Sequence, residues 1–208
     1  MGEPQTPAHA GDRSEVEFGR VVAFSDGVFT IAITLLVLTL EIPPGRDLAD
    51  ELAERGDQFL AYFISFAVLA RFWLSHHRFY GRVERFDGRL IVLNLFYLAF
   101  IALLPFTTEV LGSYGDDSLG VAMYAANLAI ISASFVVQIH YCYRQGLMRP
   151  DAADRAGDTG PENWTVTITF AASIPVAFLS PTAATLMWLS MFFVGRLLAQ
   201  GGRRAKAG

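Results

Sequence analysis

Residues 20–42 read RVVAFSDGVFTIAITLLVLTLEI. The stretch opens on a charged and polar turn, Arg20 and then Phe24-Ser25-Asp26. From Gly27 to Leu40 it is apolar apart from the hydroxyls of Thr30, Thr34 and Thr39, and Glu41 and Pro43-Pro44 close it. At ~1.5 Å rise per residue, such a helix with its flanks crosses a hydrocarbon core of about 30 Å. Lipid alone gives no reason for Arg20, Ser25, Asp26 and Glu41, because polar groups at membrane depth are costly and face protein or water. Counting about 100° per residue, Ile31, Leu35 and Leu38 form one narrow stripe, extended below by Phe24 and Gly27 and above by Ile42. Ser25 and Asp26 fall on other faces, toward neighbouring helices. The spacing alone favours the ordinary reading of such a stripe, lipid contact or bundle packing.

Working outward, the composition agrees with a membrane protein. The chain has 208 residues, 53% hydrophobic and 17% charged, whereas soluble domains carry about 25% charged residues. The net charge of −4 gives no basis for nucleic-acid binding. Cys142 is the only cysteine, which excludes an intrachain disulfide and a cysteine metal cluster. Residues 1–17 are polar and lack a basic leader, so they are predicted to be a cytoplasmic tail rather than a cleaved signal.

Further apolar runs follow. The second is Gln58 to Leu74, reached through an acidic loop from Asp47 to Asp57. The third is Leu90 to Val110, with Pro105 expected to kink or end it. The fourth is Leu119 to Tyr143, followed by a hydrophilic linker from Arg144 to Glu162. A fifth run starts at Trp164 and contains Pro175, and a sixth follows Pro181. The sequence therefore predicts an all-α integral membrane protein with about six transmembrane helices over residues 18–200, and a basic cytoplasmic tail over 201–208. Arg78, Arg82, Arg85, Arg89, Arg144, Arg149 and Arg155 lie on one side, with Arg203, Arg204 and Lys206. The other side carries mostly Asp and Glu, so the positive-inside rule places both termini in the cytoplasm.

Within the spans, Asn94 and Asn127 are candidates for bridging helices. His140 reads as a structural histidine and Glu109 as interfacial. Glu41, about 60–80° off the stripe, reads as a solvated helix-end carboxylate. Asp26 needs a donor or cation. His76, His77 and Arg78 end the second span on the same side as Asp26. Asp26 or Ser25 bonding to His77, with Trp73 packed nearby, is the expected contact.

Arg20-x-x-x-Phe24-Ser25-Asp26, continuing into GVFTIAITLLVL, resembles the first-helix signature of the transmembrane protein 175 family of potassium channels in its bacterial form. RFWLSHHRF at residues 71–79 is a second matching stretch. The resemblance runs from Arg20 to about Arg196. It implies a homotetramer with a non-canonical channel fold, the first helix lining the axis and the aliphatic stripe narrowing the pore. Carried over by position, the constriction is Ile31, Leu35 and Leu38, with Thr34 presenting a hydroxyl beside it. It also implies an inter-helix network over Arg20, Phe24, Ser25, Asp26, Trp73 and His77, with a structural or gating role. The TVGYG run of the usual potassium filter is absent; LGSYGDD lacks its Thr-Val-Gly and reads as a loop.

The expected function is passive, potassium-selective conduction in a bacterial plasma membrane. The partners are K+ ions, the lipid bilayer and further copies of the chain, and no cofactor, metal or catalytic residue is expected. The alternative is a proton-coupled or cation secondary transporter, hinted at only by Pro105 and Pro175 because no repeat between halves is visible. An intramembrane enzyme would rest on Asp26 with His77 alone. The sequence shows no P-loop, HExxH, GxSxG or dinucleotide fingerprint.

Overall fold

A computed structural model describes residues 9–42, 47–150 and 162–188. Helix α1 spans His9–Leu35 and tightens into a 3₁₀ turn, Leu36–Thr39. Then come α2 (Leu48–Glu54), α3 (Gly56–Tyr80), α4 (Gly88–Ser113), α5 (Ser118–Arg144) and α6 (Glu162–Ala177). Residues 181–188 are again helical. Four helical stretches are long and apolar enough to cross a membrane: Val16–Thr39, Gly56–Tyr80, Gly88–Ser113 and Ser118–Arg144. Trp164–Ala177 is a shorter apolar helix. The remainder of the sixth predicted run and the 201–208 tail lie outside the described residues.

Three differences from the sequence expectation stand out. The first helix begins at His9, so residues 9–17 of the predicted tail continue the first helix. The acidic loop contains α2, started by Asp47, whose carboxylate accepts from the Ala49 N–H at 2.9 Å. Pro105 does not end α4, which continues to Ser113. A proline is tolerated inside a membrane helix where neighbours and hydroxyls reorganise the hydrogen bonding. Just beyond Pro105, Thr107 and Thr108 both donate to the Leu104 carbonyl.

The first residues of the predicted hydrophilic linker after α5 are held in place. Residues 147–149 pair with the α3–α4 turn through an antiparallel bridge between Val83 and Met148. The Glu84 N–H donates to the Leu147 carbonyl at 2.8 Å and the Arg149 N–H to the Arg82 carbonyl at 2.9 Å. Gly146 makes the turn into this pairing with φ +62°, a region that favours glycine.

Helix α1 lies against α4 and α3, α4 against α5, and α5 against α6. The centre is α5, where Val121, Tyr124, Ala125, Leu128 and Ile131 are fully buried. Its small residues, among them Gly120, Ala122, Ala125 and Ala129, let neighbouring backbones come close. Polar pairs tie the helices: Ser65 with Tyr124 at 3.0 Å, Asn127 with Thr107 at 3.2 Å and Thr167 with Ser132 at 2.8 Å. In a medium without water each of these groups must find a partner in protein.

Candidate ion pathway and its supporting network

The first helix has two unlike faces. Ser25, Phe29, Ala32 and Leu36 recur at i, i+4, i+7 and i+11 and are buried against α3 and α4. The opposite face holds Phe24, Gly27, Ile31, Leu35 and Leu38, all exposed within the single chain. Ile31 is 60%, Leu35 40% and Leu38 69% exposed, against 1% for Phe29 and 0% for Leu36. The 3₁₀ turn sharpens the alignment. At three residues per turn, positions three apart eclipse, so Leu38 lies close to directly above Leu35. Thr34 is exposed beside the stripe, and its hydroxyl donates to the Ile31 carbonyl at 2.9 Å. The hydroxyl proton is thus occupied and the oxygen lone pairs remain available.

The buried face of α1 is held by a polar network. Asn94 of α4 donates from Nδ2 to Ser25 Oγ at 2.8 Å, and Ser25 donates to the Val21 carbonyl at 2.9 Å. Asn94 Oδ1 pairs with His76 Nε2 at 3.0 Å. Because the Asn94 amide nitrogen is the donor to Ser25, its oxygen is the acceptor here, and His76 carries its proton on Nε2. His76 Nδ1 makes no hydrogen bond and takes the lone pair. The His76 ring stacks on Tyr97 at 5.6 Å and 8° and also touches Phe29 and Tyr80.

Asp26 is served by a different partner. Trp73 Nε1 donates to Asp26 Oδ1 at 2.9 Å. The predicted bond from Ser25 or Asp26 to His77 is not formed. His77 is exposed and stacks on the Trp73 ring at 5.3 Å and 27°. The histidine in the network is its neighbour His76. Adjacent residues point about 100° apart on a helix, so only one of the pair can face the core. The signal is legible in retrospect: Ala61, Ser65, Leu69, Phe72, His76 and Phe79 recur at three- and four-residue steps, and all are buried. His77 is off that stripe.

The other predicted positions divide cleanly. Phe24 belongs to the exposed stripe, not to the network, and Arg20 is exposed with no side-chain partner among the described residues. Asn94 and Asn127 do bridge helices. His140 is exposed, which corrects its reading as a structural histidine. Arg71, also exposed, donates to Ser75 one turn on. Among the described residues no group of His, Cys, Asp and Glu is placed to hold a metal ion.

Comparison with known proteins agrees with this architecture. The family model for the endosomal/lysosomal potassium channel TMEM175 matches residues 20–105. A potassium channel of Streptomyces collinus is 38% identical over 128 residues, covering 59% of this chain and 62% of that one. The mouse protein named endosomal/lysosomal proton channel TMEM175 is 34% identical over 122 residues, 50% of this chain and 24% of its own. The chain thus spans less than two thirds of the length of these relatives. The crystal structure of a lysosomal potassium-selective channel TMEM175 homolog from Chamaesiphon minutus superposes with a TM-score of 0.75. That match has 27% identity and covers 87% of this chain and 98% of the other. Residues 20–105, which carry both the two-faced first helix and the network behind it, are the part of this chain that matches the TMEM175 family model.

Proposed function

We propose that the chain is one subunit of a homotetrameric, potassium-selective channel of a bacterial plasma membrane, with both termini in the cytoplasm. The observation that carries this reading is the division of α1 into a buried face and an unpartnered aliphatic stripe. Four such stripes around a symmetry axis enclose a narrow route whose walls are Ile31, Leu35 and Leu38. Cations crossing an aliphatic constriction must shed water, and hydrophobic constrictions also gate by dewetting. K+ gives up water at lower cost than Na+, which sets the direction of selectivity. Thr34 offers a hydroxyl oxygen beside the constriction to replace part of the lost hydration. The naming of bacterial relatives as potassium channels supports the choice of ion.

A proton path or enzyme resting on Asp26 paired with His77 lacks that contact, since Asp26 is bonded to Trp73 instead. The Ser25 branch ends on a backbone carbonyl, which passes no proton onward.

The test is planar-bilayer recording of the purified protein with K+ and Na+ on opposite sides, together with its mass in detergent. Discrete single-channel steps, a reversal potential favouring K+, a tetrameric mass and altered conductance in Leu35→Ala are expected. Slow, saturable flux without steps would replace the channel by a carrier.

A further inference from the structure

The arginines at one end of the bundle form a built surface rather than a loose loop. Arg78 lies in the last turn of α3, Arg89 in the first turn of α4, and Arg144 is the last residue of α5. The Val83–Met148 bridge adds two more positions, because the Arg149 N–H donates to the Arg82 carbonyl and brings those segments side by side. Arg85 donates from its guanidinium to the Gly146 carbonyl at 3.2 Å, fastening the same pairing. Beneath lies a packed floor of Phe79, Tyr80, Val83, Leu90, Ile139, Cys142, Leu147 and Met148.

Arg78, Arg89, Arg144 and Arg149 are exposed and have no hydrogen bond or ion pair from their side chains among the described residues. Among the described residues no carboxylate forms an ion pair with them, although the Asp87 carboxylate lies within the field of Arg89. Glu84 is the one exposed carboxylate of the α3–α4 turn, and the Asp87 carboxylate accepts from the Tyr141 hydroxyl and the Leu90 N–H.

Depth points to the partner. Helix α3 has 25 residues, α4 26 and α5 27. At ~1.5 Å per residue each is about 38–40 Å long, against a hydrocarbon core of about 30 Å. The terminal turns that carry Arg78, Arg89 and Arg144, and the bridged segment with Arg149 beyond them, therefore fall in the headgroup layer. Lys206 is the only lysine in the chain. Guanidinium forks match phosphate oxygens two at a time, where an ammonium acts as a point charge.

We propose that the surface formed by Arg78, Arg89, Arg144 and Arg149, built on the bridge between residues 82–85 and 147–149, binds the phosphate headgroups of anionic phospholipids. The surface is independent of the pore reading, since it depends only on membrane placement. It also touches the first helix: Phe18 meets Phe86 edge-on at 5.1 Å, so an occupied surface abuts the inner end of α1.

The experiment is native mass spectrometry of the purified protein, counting retained phosphatidylglycerol against phosphatidylcholine, with thermal stability read in parallel. Wild type is expected to retain phosphatidylglycerol preferentially and to gain stability from it, with inorganic phosphate at the same concentration giving no comparable gain. The triple variant Arg78→Gln, Arg89→Gln, Arg149→Gln should weaken retention roughly fivefold per arginine removed. Arg55→Gln, at the opposite end of α3, should leave the preference intact. Should the triple variant not fold, Arg149→Gln alone must still show its share of the loss. Equal retention of both lipids by wild type, an unchanged preference in the variants, or a full effect from inorganic phosphate would each overturn the proposal.

Discussion

Asn94 is the residue on which the α1 contact turns. It satisfies Ser25 of α1 and His76 of α3 from a single position on α4. Asn94→Leu keeps the volume but orphans the His76 N–H and takes the donor from Ser25. Unpaired buried polar groups cost about 1–3 kcal/mol each, so the variant should melt well below wild type in detergent. Trp73→Phe removes only the donor to Asp26, which is half-buried rather than enclosed. Its cost should be roughly 1 kcal/mol, in the range measured for hydrogen bonds between membrane helices. A larger loss for Trp73→Phe than for Asn94→Leu would reverse this ranking of the two contacts. Gly120 is constrained by sterics alone. A Cβ there would sit 2.4 Å from the Tyr114 carbonyl oxygen. Gly120→Ala must therefore displace the α4–α5 turn, at about 1–3 kcal/mol, measurable as a lowered melting temperature.

The first helix shows how much of an element can be read from its own residues. Its apolar run, its polar lower turn and its stripe at 31, 35 and 38 are all written in hydrophobic periodicity, and so are the next three spans. Periodicity names the faces of a helix but not what covers each one. Counting places Phe24 on the stripe, where it lies, and its place in the network comes only from the family resemblance; between His76 and His77, the motif alone does not say which one faces the core. Helix α2 was hidden for another reason: seven residues with four carboxylates in and around them look like a loop until Asp47 is recognised as a cap. The pairing of residues 147–149 with the α3–α4 turn involves a contact across more than sixty positions, which no local pattern encodes. The two faces of α1 also separate stability from conduction. Leu36→Ala empties a fully buried site and should cost about 2–5 kcal/mol. Leu35→Ala, one residue away but on the exposed stripe, should change single-channel conductance or ion selectivity with far less effect on subunit folding. Paired melting and bilayer measurements on the two variants check this. If Leu35→Ala conducted as wild type in assembled protein, the stripe would not line the route.

Taken as a unit, the subunit leaves little room for ions through its own middle. The centre of α5 is filled by Tyr124, Leu128 and Ile131, and α4 contributes Tyr97, Ile101 and Leu104, all fully buried. On the proposed reading the ion route runs along the unpartnered face of α1, and the rest of the bundle is the support that holds that helix in place. The support has a pH-sensitive tie at its arginine-bearing end. Asp87 caps α4 by accepting from the Leu90 N–H at 2.8 Å and also accepts from Tyr141 of α5, so one carboxylate joins two helices. Burial pushes this carboxyl up, but the Tyr141 hydroxyl, the Leu90 and Arg89 N–H groups and the Arg89 charge together outweigh it and hold it below its ordinary value. A carboxylate lowered on folding contributes stability that is fully present above the unfolded value, near 4, and is lost as pH falls through the folded value. Wild type should therefore be more stable than Asp87→Asn at neutral pH, and the gap should close only as the pH falls below about 4. Melting temperatures of both proteins between neutral pH and about pH 3 give the comparison. A gap that stayed constant into acid would mean that the carboxylate's charge contributes nothing and that its hydrogen bonds are equally served by the amide.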